Sequence, residues 1–239
     1  MLDETRRYSG LKGTEQDGPI EGFSISCGEF QGCSLNSRQL GTKRLIVRDA
    51  LLSNCKFRGC QVRGVALDGI TLISPDIDQT SFISGVAMRR VRLEGDVGDV
   101  FINGGRFGPN INLSTKQRNR ELNLDNEKFY EDVDWALDIG NVQSGNVDIR
   151  EVPAELIRID PFTQAVATCS RLRSFDIDQA NISSENIRLA LWLTKQMKLA
   201  SKTITLDVSS KEFESDKLCI HDLRESGVLE PVHYASTGA

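Results

Sequence analysis

At 239 residues, with 39% apolar and 26% charged residues and a formal charge of −5, the chain can bury a sizeable core and carries no disordered tail large enough to dominate its behaviour. Its N-terminus, MLDETRRYSGLKG, lacks an apolar signal core and no run nears the roughly 18 apolar residues of a membrane span, so no membrane association and a cytoplasmic location are expected. Six cysteines in a chain of this length read as reduced thiols; CxxC is absent and there are only two histidines, so no metal and no cofactor are expected.

Residues 1–21 read as an N-terminal tail or cap, and a regular pattern sets in at about residue 22. Phe30, Leu35, Leu40 and Leu45 stand five apart. From Ala50 the chain divides into ALLSN, CKFRG, CQVRG, VALDG, ITLIS, PDIDQ, TSFIS and GVAMR, with third letters Leu52, Phe57, Val62, Leu67, Leu72, Ile77, Phe82 and Ala87. The first letters, among them Cys55, Cys60 and Val65, are mostly small or β-branched, and the other columns hold nearly all the charge. A helix repeats its buried face every 3.6 residues and a strand every 2.0, so neither sustains a period of five. A chain that turns a corner every five residues does. It winds into a solenoid of square cross-section, with hydrogen bonds between coils about 4.8 Å apart.

These blocks resemble the pentapeptide-repeat family, whose pattern is roughly small residue, Asp or Asn, Leu or Phe, polar residue, Gly; VALDG, CKFRG and TSFIS match it well. The resemblance covers about residues 22–113. It implies a mainly β fold, a right-handed quadrilateral β-helix with four pentapeptides to a coil. SRQLG, TKRLI and DVGDV depart from the pattern, so irregular or bulged coils are expected. After Arg89 the register is expected to slip by one and then to continue around Leu93, Ile102 and Phe107.

Residues 114–134 are polar and lose the period, as an insertion or short helix leaving the solenoid would. Over 135–152, Leu137, Val142, Val147 and Val152 restore it, which suggests another coil. Pro153 suits the first turn of a helix over PAELIRI, and QAVATC reads as a strand. DIDQANI (176–182) shares its first four letters with DIDQTSF (76–82), and with Ile177, Ile182 and Ile187 five apart it reads as a last coil fragment. Ser183 or Ser184 then caps a helix running to about Ala200. TITLDVS alternates as a strand, and a final helix opens at Ser215-Asp216 and stops at Gly227. Residues 135–239 therefore combine an extra coil with an α/β capping region, which the open end of a solenoid requires.

Cys55 and Cys60 at successive corners read as interior packing, and Asp76 and Asp78 as solvated surface. His221 falls in the last helix, and no GxSxG, HExxH or phosphate-binding glycine loop is present, so enzyme activity is not expected. Met88-Arg89-Arg90-Val91-Arg92 is the densest basic run. Arg89, Arg90 and Arg92, with Phe129, Tyr130 and Trp135 at the end of the insertion, are the candidate partner-binding residues. Some pentapeptide-repeat proteins protect DNA gyrase by resembling duplex DNA, which needs an acidic exterior. Residues 22–113 instead carry eleven Lys and Arg against eight Asp and Glu. Interleaved stacking aromatics are lacking too, so direct nucleic-acid binding is not expected. The expected function is a non-enzymatic protein–protein interaction module that neutralises or regulates a partner, of the toxin-immunity or effector-adaptor type. Gyrase protection and an active site in the C-terminal α/β region are the alternatives, and a homo-oligomer is left open.

Overall fold

Left-handed backbone marks the corners of the chain. Asp49, Asn54, Gly59, Gly64, Gly69 and Ser74 all take positive φ, between 45° and 66°, so the chain turns every five residues where the apolar column has that period. Glycine enters this region without the Cβ clash that other residues meet, which accounts for the terminal Gly of CKFRG, CQVRG and VALDG. The computed structural model describes residues 6–105, 113–180 and 182–232.

Between corners run short strands: β1 (Arg7–Ser9), β2 (Lys12–Thr14), β3 (Ile20–Ser26), β4 (Glu29–Gln31), β5 (Ser34–Asn36), β6 (Ile46–Ser53), β7 (Lys56–Arg58), β8 (Gln61–Arg63), β9 (Ala66–Ile73), β10 (Asp76–Ile77), β11 (Phe82–Ser84), β12 (Ala87–Arg89) and β13 (Val91–Asn103). Helix α1 (Leu113–Tyr130) follows, then β14 (Leu137–Arg150) and β15 (Ile157–Arg158). All pairings among these strands are parallel. Lys56 faces Asp76, 20 positions on, and Ala66 faces Ala87, 21 positions on. The result is a mainly β protein built on a long, mostly parallel sheet of many short strands, consistent with a β-solenoid.

The ladder begins within residues 1–21, where β1 pairs with β4 and β2 with β5. Ahead of β13 one step is longer: Glu29 faces Lys56, 27 positions on. The added residues form a loop over 37–45 with a 3-10 turn at Gly41–Lys43, on the irregular blocks SRQLG and TKRLI. Arg44 at its end is buried, donating to Asn126 Oδ1 at 2.9 Å and pairing with Asp125 at 3.2 Å, so it ties α1 to the ladder. At DVGDV the pairing of β13 with β14 shifts register. The expected block around Phe107 lies outside the described residues.

The one-residue slip comes earlier than expected. Val62 faces Ile83 rather than Phe82, and Leu67 faces Met88 rather than Ala87. The cause is the turn after Ile77. Asp78 accepts from the Gly59 amide (3.2 Å) and from the Thr80 and Ser81 hydroxyls (2.7 and 2.6 Å), a closure that takes one extra residue. Phe82 consequently stands opposite Gln61, with the Arg63 guanidinium 4.4 Å from its ring centroid. Asp76 is held by Arg58, so neither aspartate is merely solvated.

In-register pairing stacks like positions into columns. Three outward columns alternate in charge: Arg7, Glu29, Lys56, Asp76; Glu21, Arg48, Asp68, Arg89; and Arg92, Asp138, Arg158. Like charges directly opposite across a ladder destabilise it and opposite charges support it. Apolar columns face inward, as in Leu35, Val62, Ile83, Ile102, Ile149 and in Ile25, Leu52, Leu72, Leu93. The Cys55 and Cys60 thiols are buried and donate to the carbonyls of Ile25 and Phe30.

Beyond β15 the pairing changes sense. Strand β16 (Gln164–Ala167) pairs antiparallel with β17 (Lys202–Thr205), which meets β14 at Arg150 opposite Lys202. There Asp148 takes Lys202 and Arg150, each at 2.5 Å; burial opposes ionisation, yet the two cations hold its carboxyl below the usual range. The short helix α2 (Cys169–Leu172), α3 (Glu185–Gln196) and α4 (Phe213–Glu225) pack with this pair around a second core, including Leu172, Ile187, Leu191 and Ile220. Ser184 caps α3 by accepting the Ile187 amide, α4 opens two residues ahead of Ser215, and Gly227 follows it at φ 75°.

Two expectations fail here. PAELIRI is a single 3-10 turn, Ala154–Leu156, after which Ile157 and Arg158 join the ladder. DIDQANI forms no strand among its described residues, Asn181 lying outside them. Asp176 takes the amides of Asp178 and Gln179 in a turn, and Ile177 and Ile182 point into the second core. Spacing alone did not distinguish an inward solenoid column from two residues flanking a turn. No helix of the described residues is long and apolar enough to cross a membrane.

Candidate functional site

The basic run sits at a corner. β12 ends on Arg89, Arg90 takes a left-handed φ of 53°, and Arg92 lies at the start of β13. In-register pairing sets Arg89 opposite Asp68, and the turn at Arg90 brings its guanidinium to the same carboxylate at 2.9 Å. Asp68 is nearly enclosed. Burial works against its ionisation, but the Arg89 and Arg90 guanidiniums prevail and hold it below the usual carboxylate range. Arg92 lies 3.5 Å from Glu94 and 3.6 Å from Asp138. Each of the three arginines is thus matched to a carboxylate while its side chain stays 41 to 51% exposed.

The end of α1 brings the aromatics to this corner. Phe129 and Tyr130 meet edge to face at 5.6 Å, and Arg89 lies 5.9 Å from the Phe129 ring. Tyr130 serves the interior. It is 8% exposed, its hydroxyl accepts the Met88 amide at 3.2 Å, and burial pushes its phenol up to about 12, so it offers no surface to a partner. Phe129 is partly buried against the main core.

Trp135 differs from both. Its carbonyl accepts the Arg90 amide at 3.1 Å, which fixes the backbone where the chain re-enters the ladder. Its partly exposed indole has the Arg92 guanidinium 5.8 Å and the Arg158 guanidinium 4.5 Å from the ring centroid, within the range of cation–π attraction. Sequence alone does not bring Arg158 to this face, because PAELIRI resembles a helix. Once β14 is placed, it follows from its position 20 residues after Asp138 in the third charged column. The arrangement offers a planar aromatic framed by fork-shaped donors, suited to carboxylates and to flat apolar groups.

The arginine run and Trp135 are therefore brought onto one face, with Phe129 beneath it and Tyr130 withdrawn into the core. Among the described residues no group of three His, Cys, Asp or Glu is placed to hold a metal ion. No family model, curated protein or solved structure matches the chain.

Proposed function

We propose that the protein is a protein-binding module, and that its solenoid is the right-handed quadrilateral β-helix of the pentapeptide-repeat type, closed at one end by the C-terminal α/β region. Corners every five residues and ladder steps of 20 to 21 support the first half of the fold reading. The antiparallel β16–β17 pair beside β14 supports the second. The single observation that carries the function is Trp135 close to Arg92 and Arg158, with Arg89 and Arg90 half-exposed beside it. Trp and Arg are the residues most enriched among those that dominate binding energy.

A partner presenting carboxylates beside an apolar side chain fits this face, and an immunity or adaptor role is the form of partner binding we favour. Because the outward columns alternate in sign, they argue against an acidic likeness to duplex DNA and hence against gyrase protection. Purification of the tagged full chain from its native cells should recover one protein in stoichiometric amount. Trp135→Ala and Arg158→Ala should each lose it, and an immunity role adds that the recovered protein is toxic when expressed alone. Recovery of no partner, or of a partner that both variants retain, would overturn the proposal.

A further inference from the structure

The inward columns are not equally closed along their length. Leu35, Val62 and Ile83 are partly open, whereas Ile102 and Ile149 in the same column are 2% and 0% exposed. The column Ile25, Leu52, Leu72 is open and ends on Leu93 at 0%. The residual exposure of the first four coils faces a cavity of about 490 Å³ that is open to solvent. It extends from Tyr8 and Leu11 on the first coil to Phe82 and Ile83 on the fourth. Its volume falls in the range of small-molecule sites, about 300–1,000 Å³.

The shape and lining limit what fits. Coils stacked at roughly 4.8 Å make the bore about 15 Å long, so its mean cross-section is roughly 30 Å², which suits one extended alkyl chain. Its walls are almost wholly aliphatic and aromatic, including a stack of Tyr8, Phe30 and Phe57 with centroids 4.8 and 5.1 Å apart. The polar exceptions are Lys12, Ser34 and Gln61, which face one another in register, and Ser81 on the fourth coil. Lys12 is exposed on the first coil and has no carboxylate partner among the described residues.

We propose that the first four coils hold one linear anionic amphiphile of the fatty-acid class, its chain along the solenoid axis and its carboxylate at Lys12. The inference is independent of the partner-binding reading, since Trp135 lies at the other end of the ladder.

The test uses the delipidated full chain with dodecanoate as probe and dodecanol as its neutral counterpart, read by native mass spectrometry and isothermal titration. Wild type should bind dodecanoate saturably at one per chain. Val62→Phe fills the bore and should weaken both ligands about tenfold or more, with the melting temperature unchanged or raised. Lys12→Gln, at an exposed site, should weaken dodecanoate about tenfold and leave dodecanol unaffected. Absence of saturable binding would overturn the proposal. So would dodecanoate affinity that is the same in wild type, Lys12→Gln and a folded Val62→Phe. Retention of dodecanoate by Trp135→Ala separates this result from any failure of the partner reading.

Discussion

The ladder up to Ile83 and the part that follows from Met88 share one set of inward columns, yet the early part is hollow and the later part filled. Val62 and Ile83 stay partly open where Ile102 and Ile149 are sealed. The later interior gains two features that the early one lacks. β13 and β14 contribute Leu93, Val97, Val100, Ile139 and Ile149, all at most 2% exposed, and Tyr130 packs in from α1 to take the Met88 amide. A shared backbone register therefore does not ensure a filled core. Side-chain volume and an outside element that presses on the wall determine it.

Truncation gives the largest expected contrast. Ile149→Ala should cost about 4 kcal/mol and Leu35→Ala about 1 kcal/mol in urea unfolding, because the first leaves a sealed void and the second enlarges an open one. Equal losses would erase the distinction between the halves. Next comes Arg44→Ala, which strands Asp125 and buried Asn126 and should cost about 3 kcal/mol. Its loss of hydrogen-exchange protection should concentrate in β4 to β8, on the hollow side, and spare β13 and β14. Enlargement should separate the halves by less: Val100→Phe is expected to cost about 2 kcal/mol, while Val62→Phe stays within about 0.5 kcal/mol of wild type.

The smallest effect concerns acid. Burial opposes ionisation of Asp78, but the Ser81 and Thr80 hydroxyls and the Gly59 amide bring its carboxyl down to about 2. A folded value below the ordinary 3.8 means that this stabilisation is present above about pH 4 and is lost as pH falls toward 2. Asp78→Asn should therefore cost about 1 kcal/mol at neutral pH and flatten the stability curve between pH 4 and 2, with exchange around residues 76–84 as the local readout.

Much of the ladder was legible because period and orientation are local properties. Leu52, Phe57, Val62, Leu67, Leu72 and Ile77 stand on inward columns as their spacing implied. What escaped depends on residues a full coil away. The slip before Phe82 is set by Asp78 reaching Gly59, 19 residues earlier, and nothing in TSFIS records that contact. DIDQANI opens with the same four letters as a true ladder segment but has no previous coil beside it. Of the candidate site, Arg89, Arg90, Arg92 and Trp135 were readable as a basic run and an aromatic. Arg158 and the withdrawal of Tyr130 were not, because both follow from where β14 and α1 are placed. The hollow was invisible for a related reason: a pattern of apolar positions says which way side chains point and is silent on how far apart opposite walls stand.

The alternating charge columns have a consequence for how such a chain can change length. Reading Glu21, Arg48, Asp68, Arg89 along the ladder, the sign returns only at every second coil. Deleting or duplicating one coil would set Arg against Arg or Asp against Asp at strand spacing, while removing or adding two would restore the alternation. The molecule therefore has a parity: its exterior tolerates growth and shrinkage in pairs of coils, although its backbone hydrogen bonding would accept them singly.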